Sequence, residues 1–320
     1  MQPEAFSISG RKSGTTIAAG IACGVGAGAL WGLVFLVPAI LHAFGPFQIA
    51  IGRYATYGLL AAAIIGRRWP ALLRKLDRRD WLTLAGLSLC GNTAHYVFLT
   101  VAVKLGGVPM TSLVIGFLPV VVTVIGSREQ GAVPLAKLIP SVLFSVAGMV
   151  AISWQTLVYG EGERSWDQLM ALLCAIVALA TWAVFAVWNG RTLHRLDHVS
   201  SQEWSLLTGV TSGLEALLLI PAALLFERTS HSTGDWLNFL FVCSSVALFS
   251  SIIGFALWNR MSRLLPMTMV GQMILFETFF ALLYGFLWDH RLPAILETAA
   301  ILFLFSSVAS SVAAHQAERS

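Results

Sequence analysis

Three ionisable residues, Arg53, Glu215 and Glu277, lie deep inside long apolar runs of this sequence. In hydrocarbon each costs about 2.5–3.5 kcal/mol on insertion scales, so each needs a task or a partner. With a rise of 1.5 Å per residue, Arg53 falls roughly 10 Å from the outer end of its run and Glu277 about 15 Å along its own. Glu215 lies near the middle of a third run. Such groups suit the counter-charges of a polar substrate, with a carboxylate that exchanges a proton for it. They equally suit an internal ion pair that fixes packing, and Arg53 is near enough to an edge to snorkel.

Neutral polar residues add to these. Asn92, His95 and Tyr96 share one helical face, either to hydrogen-bond a substrate or to bond helix to helix at about 0.6–2 kcal/mol per bond. Ser112, Gly116, Pro119 and Thr123 recur at helical steps. That stripe permits close backbone approach, and Pro119 removes a donor and frees a carbonyl, so packing and a broken-helix binding site both fit it. Trp31, Trp182, Phe255, Phe276 and Phe279 would supply an apolar lining, and Asn259 and Gln272 further polar contacts. No second His or Cys accompanies His95 at ligand spacing, and Cys23, Cys90, Cys174 and Cys243 all sit in apolar runs. No metal or other cofactor is therefore expected.

The elements that carry these residues follow from composition. The chain is 57% hydrophobic and only 11% charged, with a mean hydropathy of +0.78, whereas soluble domains run nearer a quarter charged. A crossing needs about 20 apolar residues. The apolar runs fall at about 16–41, 46–66, 80–103, 107–126, 134–156, 168–190, 201–227, 234–259, 267–288 and 293–314. The expected fold is thus an all-α integral membrane protein of ten transmembrane helices. The first run is too long for the h-region of a cleaved signal peptide, which spans about 7–15 residues.

Orientation comes from the basic residues. One side carries Arg11, Lys12, Arg67, Arg68, Arg74, Lys75, Arg78, Arg79, Arg128, Lys137, Arg191, Arg195, Arg260, Arg263 and Arg319. The other carries Lys104, Arg164, Arg228 and Arg291. That asymmetry predicts a cell-membrane protein with both termini in the cytoplasm. The net charge of +4 is then a topology signal rather than a nucleic-acid footprint.

Segments 23–31 and 174–182 match without a gap at Cys23/Cys174, Ala27/Ala178, Ala29/Ala180 and Trp31/Trp182, and PMT at 109–111 recurs at 266–268. These matches pair the first run with the sixth and the fourth with the ninth. Five spans is an odd number, so the second half must enter from the opposite face. Two inverted five-helix repeats, residues 1–156 and 157–320, are expected, an arrangement that in transporters places the substrate site near the midplane between the halves.

On these residues the sequence resembles the drug/metabolite transporter superfamily, specifically its ten-helix proteins with two EamA-type repeats, over about 17–314. ALWG at 29–32 looks like the family's first-helix pattern, and Arg53-Tyr54 resembles the arginine often found in helix 2. Pro119 and Glu129 sit where the family has a helix 4 proline and a closing glutamate. In LFETFFALL at 275–283, Glu277 matches the family's glutamate while Thr278 replaces its proline; WDHRL at 288–292 departs from the expected ending. The resemblance implies a central cavity lined by helices 3, 4, 8 and 9 with 1 and 6, and often export of amino acids or other small metabolites.

The expected function is therefore a secondary transporter, an exporter of small metabolites such as amino acids, whose partners are a small-molecule substrate, the lipid bilayer and, at Glu215 or Glu277, a proton. No GxxxxGK[ST] sequence is present to bind a nucleotide. The rival readings are a lipid-modifying membrane enzyme, for which His194, Asp197 and His198 are the candidate cluster, and a passive channel. The sequence sets no oligomeric state.

Overall fold

The computed structural model describes residues 14–126, 135–159, 165–196, 198–265 and 267–317, and among these every regular element is helical. In lipid each backbone N–H and C=O must find a partner within the protein, and a helix provides it inside one segment. The longer helices are α1 (Gly14–Gly32), α2 (Pro46–Ile65), α3 (Arg78–Ser88), α4 (Ala94–Ile115), α5 (Leu118–Gly126), α6 (Leu135–Tyr159) and α7 (Ser165–Arg195). They continue as α8 (Ser201–Leu217), α9 (Ile220–Phe226), α10 (Thr233–Val246), α11 (Phe255–Leu264), α12 (Met267–Trp288) and α13 (Ile295–Ala317).

Five continuous stretches among the described residues are long and apolar enough to cross a bilayer: Ala18–Ile40, Pro46–Leu73, Arg78–Ile115, Trp166–Leu193 and Thr233–Ser262. The bent pair α8–α9 makes a sixth. Arg78–Ile115 takes in the expected run 80–103 and the start of 107–126. The two meet at Gly107, whose φ of 81° breaks helical geometry inside α4. Pro109 then falls in the first turn beyond the break, where its missing N–H would have had no partner anyway.

The ends of the helices are written in short polar motifs. Asp77 caps α3 by accepting from the Asp80 N–H, and Ser200 and Ser232 do the same for α8 and α10. Each reciprocates with an acidic residue three positions on, the capping-box pairing. The Asp80 backbone N–H, foremost, holds the Asp77 carboxyl below its usual range. At the end of α12, WDHRL forms a turn in which His290 takes a φ of 50°. Both terminal nitrogens of Arg291 bond Glu297, at 2.7 and 2.8 Å.

Packing brings distant helices together. α2 lies on α8, α6 on α13, α4 on α7, and α1 on α11 and α12. Glycine permits the closest approaches. A Cβ on Gly58 of α2 would stand 2.9 Å from the Gly213 Cα of α8, and the reverse holds equally. Gly28 of α1 faces the backbone of Phe276 and Glu277, and Gly32 that of Phe280 and Ala281. Across α6 and α13, the Ser307 hydroxyl donates to the Ser141 carbonyl at 2.8 Å. Two π turns interrupt the helices, Leu89–Thr93 between α3 and α4 and Ala247–Gly254 between α10 and α11. Such turns occur frequently at functional sites.

Polar ties close both ends of the bundle. At one, Lys75 pairs with Glu203 at 2.8 Å and Arg195 with the buried Asp80 at 2.6 Å. At the other, Glu227 accepts from the N–H groups of Phe47 and Gln48 at 2.7 and 2.9 Å, while His231 stacks on Phe44 with ring centres 4.2 Å apart.

Candidate functional site

The first π turn and the residue that follows the second face one small cavity within the bundle. Asn92 and Gly91 come from the first turn, and Phe255 follows the second. Trp31, Val34 and Phe35 line it from α1 and its continuation, Arg53 and Tyr54 from α2, His95 and Leu99 from α4, Trp182 from α7 and Glu277 from α12. Its volume is about 30 Å³, room for roughly one or two waters.

The sequence explains how the lining is held. Trp31 is buried, and its indole N–H donates to the Ser250 carbonyl at 2.9 Å, across to the second π turn. Its ring contacts Phe255 at 5.2 Å, Trp258 at 5.0 Å and Trp182 at 6.2 Å between centres, an aromatic wall shared by three helices. Gly254 makes this possible, since a Cβ there would stand 2.7 Å from the Trp31 nitrogen. Gly91, in the first π turn, lies in the same way against Phe185 of α7.

His95 is buried, with Nδ1 2.9 Å from the Ala178 carbonyl. A carbonyl only accepts, so the assigned tautomer carries its proton on Nδ1 and leaves Nε2 as an acceptor. The Asn92 amide donates to the Ser212 hydroxyl at 2.8 Å.

The charges are the chemical core. The Arg53 guanidinium carbon lies 4.3 Å from the centre of the Tyr96 ring and 5.0 Å from that of Tyr54. Aromatic faces attract a cation by about 0.5–2 kcal/mol, more where water is excluded. Arg53 is 6% exposed, and among the described residues its Nε has no hydrogen-bond partner. Glu277 is half-buried and lines the same cavity. No ion pair joins it to Arg53 among the described residues. The arrangement therefore holds one guanidinium and one carboxyl group, not closed on each other, at an aromatic-walled space.

Of the residues singled out from sequence, Trp31, Arg53, Asn92, His95, Trp182, Phe255 and Glu277 meet at this cavity. The other described ones lie outside its lining. Tyr96 stands behind Arg53 as an aromatic face. The Ser112 hydroxyl turns back to the Pro109 carbonyl at 3.0 Å, and Gly116 is spent on packing against Thr278 and Leu304. Asn259 bonds Ser201 and Ser205, Phe276 packs on the Met261, Leu265 and Met273 cluster, and Phe279 is 48% exposed on the outer surface. Glu215 accepts from Thr93 away from the cavity. The side chains of Pro119, Thr123, His194 and Gln272, and all of Glu129, Asp197 and Pro266, fall outside the described residues. The expected lining also changes: α2 contributes, whereas the Ser112 and Gly116 stripe does not, because that stripe is used where α4 meets α12 and α13.

Sequence reasoning missed Tyr54 and Gly91 as lining residues and the pair Gly28 and Gly32, which brings α12 close enough to present Glu277. The signal was present in part, since glycines four apart lie on one helical face.

Comparison with known proteins agrees with this architecture. The EamA-like transporter family matches residues 169–313. The inner membrane protein YtfF of Escherichia coli (strain K12) is 30% identical over 311 residues, covering 90% of this chain and 93% of its own. The uncharacterized transporter YdeK of Bacillus subtilis (strain 168) is 26% identical over 253 residues, covering 78% of this chain and 80% of its own. A solved crystal structure superimposes with a TM-score of 0.65 over 94% of this chain and 98% of its own at 19% identity, a likeness of fold.

Proposed function

The chain belongs to the EamA-like transporters of the drug/metabolite transporter superfamily, and from that membership we propose that it is a secondary carrier, an exporter of small zwitterionic metabolites such as amino acids. It is a multi-pass membrane protein. The observation that carries the proposal is the pairing of Arg53 and Glu277 at one aromatic-walled cavity without an ion pair between them. A carboxylate group on the substrate meets Arg53 and its ammonium meets Glu277. When the site is empty of substrate, a proton on Glu277 removes the cost of a bare carboxylate in a low-dielectric space.

Ten spans in two inverted halves, 1–156 and 157–320, with both termini in the cytoplasm, complete the reading. Packing supports it. α1 against α12 has its counterpart in α7 against α4, while α2 meets α8 and α6 meets α13, as two halves related by an axis would require. Each half also holds one π turn and one glycine pressed on an aromatic ring, Gly91 on Phe185 and Gly254 on Trp31. The small volume of the cavity and the polar ties at both ends of the bundle fit a carrier closed on both sides, with alternating access from rocking of the halves.

Metabolite profiles of the medium from overexpressing and deleted cells select the substrate, and reconstituted vesicles then test the mechanism. Saturable uptake with counterflow is the expected result. Linear, non-saturating flux without counterflow refutes a carrier in favour of a channel, and chemical change in a lipid extract given purified protein refutes it in favour of an enzyme.

A further inference from the structure

The link from α2 to α3, with the first turn of α3, holds six basic residues: Arg67, Arg68, Arg74, Lys75, Arg78 and Arg79. The central cavity uses none of them. Lys75 is taken within the protein by Glu203, and the neighbouring acid Asp80 is taken by Arg195. The five arginines are exposed, and no ion pair reaches them among the described residues.

The backbone holds these arginines at the rim of the bundle. Gly66 ends α2 with a φ of 47°. A Cβ there would meet nothing, so the backbone conformation rather than space calls for glycine. A short helical turn follows, Trp69–Leu73. Trp69 packs on the core, and Leu72 and Leu76 are buried, which pins the segment from within. Ile64, Leu73 and Leu82 remain 49%, 50% and 65% exposed, and all three belong to stretches long and apolar enough to cross a bilayer. Such surface meets lipid chains. Arg78 and Arg79 lie one helical turn before Leu82 on α3, while Arg67 and Arg74 follow Ile64 and Leu73 within three residues. The lipid-facing surface therefore ends in guanidinium groups, where a bilayer passes from acyl chains to headgroups.

A loop that only sets orientation needs positive charge, which lysine and arginine supply alike. Here the one lysine is the basic residue paired inside the protein, and every basic residue left facing outward is arginine. A guanidinium presents a planar fork that binds two phosphate oxygens at once, which an ammonium cannot do. We propose that residues 66–79 form a docking surface for the headgroup phosphate of an anionic phospholipid, with its acyl chains along Ile64, Leu73 and Leu82. Phosphatidylcholine fits less well, because its own ammonium group meets the arginines as a like charge. Phosphatidylglycerol leaves the phosphate charge uncompensated. The surface does not rest on what the central cavity carries, so a transport assay and the assay below fail independently.

The test gives purified wild-type protein equal amounts of phosphatidylglycerol and phosphatidylcholine with the same acyl chains, and native mass spectrometry counts the lipids retained. Phosphatidylglycerol should exceed phosphatidylcholine severalfold, and the excess should shrink as salt screens the arginines. Inorganic phosphate, compared with chloride at the same ionic strength, should not displace the lipid, because it has no acyl chains. Hydrogen exchange in nanodiscs supplies a readout resolved by site in the wild-type protein. Phosphatidylglycerol in place of phosphatidylcholine should slow exchange in 66–79 and leave 227–232, at the other end of the bundle, unchanged. Arg67→Lys, Arg68→Lys, Arg74→Lys, Arg78→Lys and Arg79→Lys together keep the charge that directs insertion and should lose most of the excess. Arg228→Gln, at the other end, should keep it. Equal retention of the two lipids, displacement by inorganic phosphate, equal slowing at both ends, or full retention by the lysine variant would each overturn the proposal.

Discussion

Replacing Gly213 by alanine should loosen the contact that holds α2 beside α8, and with it the placement of Arg53. The new Cβ would stand 2.9 Å from the Gly58 Cα and 3.1 Å from the Tyr54 carbonyl oxygen. Both neighbours are backbone and cannot swing aside. Carbon atoms settle at about 3.5–4.0 Å, so the helices must part by roughly 0.5–1 Å. Overpacking of this kind costs about 1–3 kcal/mol, against a gain of about 1 kcal/mol from exchanging glycine for alanine inside a helix. Gly26→Ala provides the contrast, because its Cβ would meet one flexible atom, a Leu257 methyl at 3.2 Å, and should be neutral or stabilising. Thermal unfolding of both variants in the same detergent measures stability, and vesicle uptake measures apparent affinity. Gly213→Ala should melt below the wild type and bind substrate more weakly, since Arg53 and Tyr54 both line the cavity from α2. If Gly213→Ala melts at or above Gly26→Ala, the glycine pair does not set the helix separation and the reasoning fails.

Glu277→Gln keeps size and hydrogen bonding while removing the charge, so the protein should insert normally, transport should drop at least tenfold, equivalent to about 1.4 kcal/mol, and the remaining rate should lose its pH dependence; wild-type rates across pH would remove Glu277 from the mechanism. Arg195→Ala strands the Asp80 carboxylate, whose side chain is 7% exposed, whereas Lys75→Ala frees the more exposed Glu203. The first should therefore lower the melting temperature clearly more than the second, whose exposed pair contributes about 0–1 kcal/mol, and equal shifts would contradict the assigned burial. Cysteines introduced in 67–79 should resist an impermeant thiol reagent in intact cells while those in 159–166 react, and labelling of 67–79 from outside would reverse the orientation.

What the sequence alone determined was the class of protein and much of its charge chemistry. A composition with so little charge can be buried only in lipid, and acids or a base within apolar runs are costly enough to stand out, which is how Arg53 and Glu277 became visible. The paired Trp31 and Trp182 were legible for the same kind of reason, because a gapless local match survives in one dimension. Tertiary structure decided which polar residues face one another. Glu215 and Glu277 look alike as isolated acids in helices, yet Glu215 accepts from Thr93 outside the cavity lining and Glu277 belongs to that lining. The difference is the rotation of each helix about its own axis. That rotation is set where glycines allow backbones to touch, at Gly28 against Glu277 and at Gly213 against Gly58. Near-uniform apolarity erases the periodicity that reveals the inner face of a soluble helix, because lipid and protein interior favour the same side chains. The inward face of a membrane helix is therefore fixed by close contacts between segments far apart in the chain.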